Sequence, residues 1–287
     1  MKTIEEVLKC FPRRKPEANK KDFGHVFVIA GSAGYTGAAY LTSQAAMLSG
    51  SGLVTLAAGK SIYPILASKL TEVMVKPFFE TRDSSLSLLA ERELLNFMQD
   101  CDCMAIGPGI SRNKDTQALV RNVIPKIDKP AVLDADGLNA IAGHVEILKK
   151  AKSTLVLTPH PGELARLIDK DVTEIQNDRK NIAINFAHQY NIVLVLKGYQ
   201  TVVASPNGEY YINSTGNAGM ATGGTGDCLT GMVASFIGQG IEPFNAAILA
   251  AYFHGLAGDA AAKEKGLLSL IATDLLNKLP EVLKKLG

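Results

Sequence analysis

The run Asn217-Ala218-Gly219-Met220-Ala221-Thr222-Gly223-Gly224-Thr225-Gly226-Asp227 holds the residues best suited to chemistry. Gly223, Gly224 and Gly226 lack a Cβ, so the backbone there can turn tightly and bring several N–H groups onto one ligand. Leu229, Met232, Val233, Phe236 and Ile237 follow at the spacing of one helix face, which predicts that the glycines sit where a helix begins. Unpaired first-turn amides and the positive end of the helix dipole favour a phosphate at that point. A carboxylate aimed at a phosphate would repel it. Asp227 therefore reads as a base that takes a proton from a hydroxyl while the glycine amides hold a transferring phosphoryl group. The competing reading is an inert Asp in a first helical turn, stabilised by the dipole.

The other candidate residues all follow apolar runs. His25–Ala30 reads as a buried strand running into Gly31-Ser32-Ala33-Gly34-Tyr35-Thr36-Gly37, and Ala38–Gly50 as a helix. That turn fits neither a dinucleotide fingerprint nor a Walker A loop. Its small neighbours Gly37, Ala38 and Ala39 would let a flat substrate come close. Gly52–Ala58 and Val73–Lys76 read as strands around a helix at Ser61–Leu70, and Ser84–Gln99 as one amphipathic helix. Cys103–Ile106 is a short strand ending in Gly107-Pro108-Gly109, and Thr116–Ile124 is helical.

Pro130–Leu133 ends in Asp134-Ala135-Asp136-Gly137, followed by a helix over Leu138–Ala142. Two carboxylates there suit a magnesium ion or a substrate hydroxyl, with Asp134 the stronger candidate; Asp136 equally suits a helix cap. Thr154–Leu157 ends in Thr158-Pro159-His160-Pro161-Gly162-Glu163, where two prolines hold His160 for contact with a heterocycle or a phosphate. A long helix spans Thr173–Tyr190, and Ile192–Leu196 ends in Lys197-Gly198-Tyr199-Gln200-Thr201. Lys197 suits a nucleotide phosphate as a point charge, with Gly198 permitting close backbone approach. Thr201–Ala204 and Glu209–Asn213 read as a hairpin around Pro206-Asn207-Gly208, and Phe244–Lys263 and Thr273–Lys285 as closing helices. Strands alternating with helices imply a mainly parallel sheet with helices on both faces, which gathers at least five of these segments on one edge.

Composition bounds the function classes. The chain has 287 residues and 47% hydrophobic content, enough for one large α/β domain over 1–287 with a surface lead-in over 1–22. Thirty Lys and Arg against 28 Asp and Glu give a net charge of +2, and no basic run exceeds Arg13-Arg14-Lys15, so neither nucleic acid nor a membrane surface is an expected partner. Cys10, Cys101, Cys103 and Cys228 form no Cys-x-x-Cys pair, and the N-terminus is acidic and amphipathic, so a reduced, cytoplasmic protein is expected.

Assembled, these segments resemble the ribokinase-like superfamily and, within it, the NAD(P)H-hydrate dehydratase family. The resemblance rests on Gly31–Ala39, Gly107-Pro108-Gly109, Leu133–Asp136, Thr158–Glu163, Lys197-Gly198 and Asn217–Asp227, and covers about Gly24–Leu275. It implies a three-layer sandwich and a metabolite-repair enzyme acting on the S epimer of NADHX or NADPHX, the hydrated forms of NAD(P)H. The residue assignments are likewise what the resemblance implies. Asp227 would be the base; Gly224, Thr225 and Gly226 the anion hole; Lys197, Gly198, Tyr199, Gln200, Thr201 and Gly226 the nucleotide contacts; and Ala39, Gly109 and His160 the contacts to the hydrate. Asp134 and Asn217 stand in a second tier, and no direct metal ligand is assigned. Magnesium is expected with the phosphates of ADP or ATP, ADP giving AMP and phosphate. The family further implies a homo-oligomer, with a tetramer in view. About two dozen residues precede the first strand, so the epimerase domain fused in some members is expected to be a separate protein here. Two other readings compete: a small-molecule kinase of the same superfamily acting on a thiazole or pyrimidine alcohol, and a nucleotide-binding regulator.

Overall fold

In the computed structural model, which describes residues 1–286, a short helix α1 (Ile4–Leu8) precedes β1 (His25–Ile29), α2 (Thr36–Leu48), β2 (Leu53–Gly59), α3 (Tyr63–Lys69) and β3 (Met74–Phe78). The chain continues through α4 (Glu91–Met98), β4 (Cys103–Ile106), α5 (Lys114–Val123), β5 (Ala131–Leu133), α6 (Asp136–Ile141), β6 (Leu155–Leu157) and α7 (Pro161–Ile168). Then come α8 (Val172–Asn177), α9 (Arg179–Tyr190), β7 (Val193–Leu196), β8 (Val202–Ala204), β9 (Tyr210–Ile212), α10 (Thr225–Gly238), α11 (Pro243–Lys265) and α12 (Ala272–Leu283).

The nine strands form one sheet in the order β3-β2-β1-β4-β5-β6-β7-β8-β9. It is parallel from β3 to β7, and β8 and β9 extend it antiparallel. Alternating side chains build a core on each side. Val26, Val28, Val54 and Leu56 pack with Met232 and Phe236 of α10, Leu249 and Phe253 of α11, and Leu275 and Leu279 of α12. Phe27, Ile29, Met104 and Ile106 pack on the opposite side with Leu94 of α4, Leu119 of α5, Leu164 of α7 and Phe186 of α9. This is the expected three-layer arrangement. Among the described residues, no helix is long and apolar enough to cross a membrane.

From β1 the chain steps outward through β2 and β3, then returns to pair β4 on the other side of β1. The connections diverge at the β1/β4 boundary, which is where an open α/β sheet presents a crevice at its carboxyl edge. The loops there are tied together: the Gly31 amide donates to the Pro108 carbonyl (2.9 Å) and Ser32 Oγ to the Gly109 carbonyl (2.8 Å). Gly109 has φ +61°, and a Cβ on it would meet Tyr35 Cβ at 2.8 Å. Above this crevice, α10 crosses α2 so closely that a Cβ on Gly231 would overlap the Thr42 carbonyl.

Two predicted helices are corrected. The Ser84–Gln99 helix begins only at Glu91, after Ser84 turns through φ +57°. The preceding chain is pinned by Ser85 Oγ on Thr81 and Thr116 (2.8 Å each) and by Ser87 Oγ donating to Asp115 Oδ2 (2.8 Å). Leu89, counted in the apolar face, is 76% exposed. The Thr173–Tyr190 helix is two helices, α8 and α9, broken at Asp178 (φ −141°), whose carbonyl accepts from the Ile182 amide (3.0 Å) as α9 restarts.

Candidate active site

Gly224 caps α10 at φ +93°, and a Cβ there would lie 2.5 Å from Leu41 Cδ1 of α2. Only glycine meets both conditions. Thr225, Gly226 and Asp227 are the first three residues of α10, where amides lack acceptors within the helix. The Thr225 hydroxyl is turned away from any ligand, shared between the Met220 (3.0 Å) and Thr222 (3.1 Å) carbonyls, so its amide alone would serve an anion. The Thr225 carbonyl accepts from His254 Nε2 (2.8 Å); burial pushes that imidazole down to about 4, which keeps it neutral.

Asp227 is half-buried, and its carboxyl is pushed up to about 7, first by burial and then by the Asp134 carboxylate. Lys197 pulls the other way, while Asp136 and Glu163 add smaller upward pushes. Such a carboxyl changes charge near neutrality, as a general base requires.

Beneath Gly226 lies a buried ion pair. Lys197 Nζ donates to Asp134 Oδ1 (2.7 Å) and stands 4.0 Å from Glu163 Oε2. Thr230 Oγ1 donates to Asp134 Oδ2 (2.7 Å). Burial alone would depress the Lys197 ammonium, but Asp134 and then Glu163 carry it above its ordinary value. A Cβ on Gly226 would come 3.1 Å from Lys197 Nζ. Both oxygens of Asp134 are thus engaged by the protein, Oδ1 by Lys197 and Oδ2 by Thr230. Asp136 Oδ2 accepts from the Ser111 amide (3.1 Å) and Oδ1 from Asn139 Nδ2 (3.1 Å), tying a loop to the start of α6. Among the described residues, no three His, Cys, Asp or Glu side chains group to hold a metal ion.

His160 caps α7. Its Nδ1 accepts from the Gly162 amide (3.0 Å), leaving Nε2 to carry the proton of the neutral ring, and its own amide donates to Glu163 Oε2 (2.8 Å). The imidazole is 53% exposed, with Nε2 3.6 Å from Glu163 Oε1. The loop after β7 turns through Gly198 (φ +135°) and Gln200 (φ +53°), closed by Thr201 Oγ1 donating to the Gly198 carbonyl (2.9 Å). Tyr199 projects from it, 89% exposed.

Not every expected residue presents a surface. Ala39 is fully buried: a Cβ on Gly31 would meet its methyl at 2.8 Å, so it forms the floor of the crevice and not a contact face. Asn217 anchors its own loop, accepting from the Gly219 amide (3.0 Å) and donating to Asp259 Oδ1 (2.9 Å).

Three contributors escaped the sequence reading. Glu163 links His160 to Lys197, and its place in the Pro-His-Pro-Gly-Glu run was a usable signal. Thr230, inside the helix face, gave none. Arg179, taken as mid-helix, starts α9 and donates from Nη2 to the Leu196 (2.9 Å) and Lys197 (3.3 Å) carbonyls, holding the loop after β7 from below.

A family model described as NAD(P)H-hydrate dehydratase matches residues 26–281. The chain is 47% identical over 275 residues to a bifunctional NAD(P)H-hydrate repair enzyme Nnr from Moorella thermoacetica, covering 96% of this chain but only 52% of that protein. It thus spans about half the length of such bifunctional relatives. An ADP-dependent (S)-NAD(P)H-hydrate dehydratase from Bacillus subtilis is 34% identical over 283 residues, covering 99% of this chain and 97% of its own. The crystal structure of the Bacillus subtilis ADP/ATP-dependent NAD(P)H-hydrate dehydratase, co-crystallised with ATP/Mg2+, superposes at TM-score 0.84 and 32% identity over 99% of this chain and 98% of that one. By the extent of these matches and the family model's span, the chain belongs to the NAD(P)H-hydrate dehydratase family.

Proposed function

We propose that this chain dehydrates the S epimer of NADHX or NADPHX with an adenine nucleotide as phosphoryl donor, restoring NAD(P)H. The observation that carries the reading is Asp227: a carboxyl pushed up to about 7 in the first turn of a helix whose glycine-rich entry is built for an anion. The names of the relatives, one ADP-dependent and one co-crystallised with ATP/Mg2+, support the choice of substrates.

Asp227 takes the proton from the hydroxyl on C6 of the hydrated ring. The freed oxygen bonds to the terminal phosphorus of ADP as the bond to the AMP moiety breaks. The amides of Gly224, Thr225 and Gly226 face the charge that spreads over the transferring group. Hydroxide leaves poorly, but the resulting phosphate ester leaves readily: the ring nitrogen expels phosphate, and the C5 proton passes to that departing phosphate as the C5–C6 double bond closes. Gly198, Tyr199, Gln200 and Thr201 would seat the nucleotide, while Gly109 and His160 would face the hydrate across the crevice. Asp134, Asp136 and Glu163 are already held by protein donors, which leaves Asp227 as the one carboxyl of the cluster with no donor among the described residues, a single group and not a ligand set. Any magnesium would arrive on the phosphates, and no step depends on it here. A cytoplasmic homo-oligomer working with an NAD(P)H-hydrate epimerase completes the proposal, the bifunctional relatives supporting that last link.

The test is incubation of the purified protein with hydrated NADH and ADP. The reduced-nicotinamide absorbance should recover in step with AMP and inorganic phosphate. A stable phosphorylated alcohol without recovery would overturn the reading in favour of a small-molecule kinase.

A further inference from the structure

Lys197 opens the loop assigned to the nucleotide, where an ammonium would ordinarily meet a phosphate. Its Nζ is instead enclosed, 2.7 Å from Asp134 Oδ1 and 4.0 Å from Glu163 Oε2. Asp134 gives its second oxygen to Thr230, which lies one helical turn beyond Gly226 on α10 and whose hydroxyl also stands 3.2 Å from the Gly226 carbonyl. The ion pair is thereby fastened to the underside of the first turn of α10. We propose that Lys197 is a positioning residue: with Asp134 and Thr230 it fixes that first turn and governs the charge on Asp227 from below, instead of ligating a phosphate.

The inference rests on reading Asp227 as the base. The groups facing Asp227 are Asp134 from the end of β5, Asp136 from α6, Glu163 from α7 and Lys197 from the end of β7. His254 of α11 is neutral and occupied with the Thr225 carbonyl. One cation therefore faces Asp227 against three carboxyl groups, of which the outermost, Asp136, also has Arg112 Nε at 3.7 Å. Deleting the charge of Lys197 leaves Asp227 facing carboxylates alone, whereas deleting the charge of Asp134 removes one carboxylate and turns Lys197 toward Asp227. The two substitutions must move Asp227 in opposite directions, which a merely structural pair would not do.

The deciding measurement is a carbon-13 carboxyl NMR titration of the unliganded protein, with the Asp227 signal assigned through Asp227→Asn. Relative to wild type, the midpoint should rise in Lys197→Gln and fall in Asp134→Asn, each by at least about tenfold in ionisation constant. Lys197→Arg should leave it in place. Calorimetric affinity for ADP should change less than about threefold in Lys197→Gln, since no phosphate contact is lost. An unmoved midpoint, or a loss of ADP affinity beyond about tenfold, overturns the inference. Should the charge-deleting variants fail to fold, wild-type protein still decides. A resolved coupling between the Lys197 nitrogen and a phosphorus of bound ADP overturns the inference; an ammonium that keeps its Asp134 pairing with ADP bound supports it. None of these readouts uses turnover, so failure of the enzymatic reading and failure of this one are distinguishable.

Discussion

Asp227 carries two demands that pull against each other. A base must be ionised at working pH, yet burial and Asp134 hold its carboxyl at about 7, well above the ordinary value of 3.8. The folded state thus binds a proton that the unfolded state releases, so the contribution of this residue to stability is fully present below about pH 4, falls as pH rises toward 7 and is lost above it. Asparagine imitates the protonated form. Asp227→Asn should therefore gain roughly 2–4 kcal/mol over wild type at pH 8, a gap that closes toward pH 4, measured by urea unfolding across pH. The same variant should keep nucleotide binding and lose turnover by about 10³-fold or more, and a wild-type rate would remove Asp227 from the role. In wild type, kcat/KM should rise through about pH 7 to an alkaline plateau, the sign expected for a base that must lose its proton. The position of this residue was legible because its signal is local, a glycine turn followed by helical spacing. What surrounds it was not. Asp134 meets Lys197 across 63 residues of sequence and Thr230 across 96, and spacing carries no trace of such partners.

At the level of elements, the helix that carries Asp227 is placed by its crossing with α2. Gly231 lies at the contact, and a methyl there would run into the Thr42 carbonyl and approach Ala45 Cβ at 3.0 Å. Backbone cannot yield as a side chain does, so Gly231→Ala must push α10 away from α2. It should cost about 1–3 kcal/mol in urea unfolding and weaken ADP binding, because the anion-facing turn moves with the helix. Unchanged affinity in a folded variant would show that the entry to α10 is positioned by something other than this crossing. Long apolar helices with a clean start were readable from sequence, as with α10 and α11, both of which are buried around most of their circumference. The misreadings share a physical cause: each helix is interrupted by the backbone conformation of a single polar residue, Ser84 at φ +57° and Asp178 at φ −141°. Ser87 caps a single 3-10 turn over Leu88–Ala90 that leads into Glu91, and the break at Asp178 restarts the chain as α9, turning Arg179 toward the end of β7. Apolar residues recur through both places without deciding the conformation.

For the whole molecule, the parallel sheet makes a site from segments that are remote in sequence. Buried parallel strands are apolar on both faces, so their runs stood out, and their carboxyl ends had to share one edge. The side of the crevice on which each loop would lie was settled only by strand order, which places β1 beside β4 and carries β7 to the far side of β6. The opposite edge of the same sheet is packed for stability alone: the His25 amide donates to Asp102 Oδ2 (2.7 Å), and the His25 ring is shared with Thr55 and Cys101. Ligand binding should therefore divide the molecule. With ADP at about 100 times its Kd, the folded state should gain about 2.7 kcal/mol. In hydrogen exchange, the added protection should concentrate in residues 197–201 and 223–228 at the carboxyl edge. Amides around His25 and Asp102 should change only as far as global unfolding is suppressed, and would do so most visibly where exchange already requires complete opening. Protection that appeared first at the His25 edge would move the nucleotide to the other end of the sheet. The base, its glycine cradle and the ion pair below them would then have no common substrate.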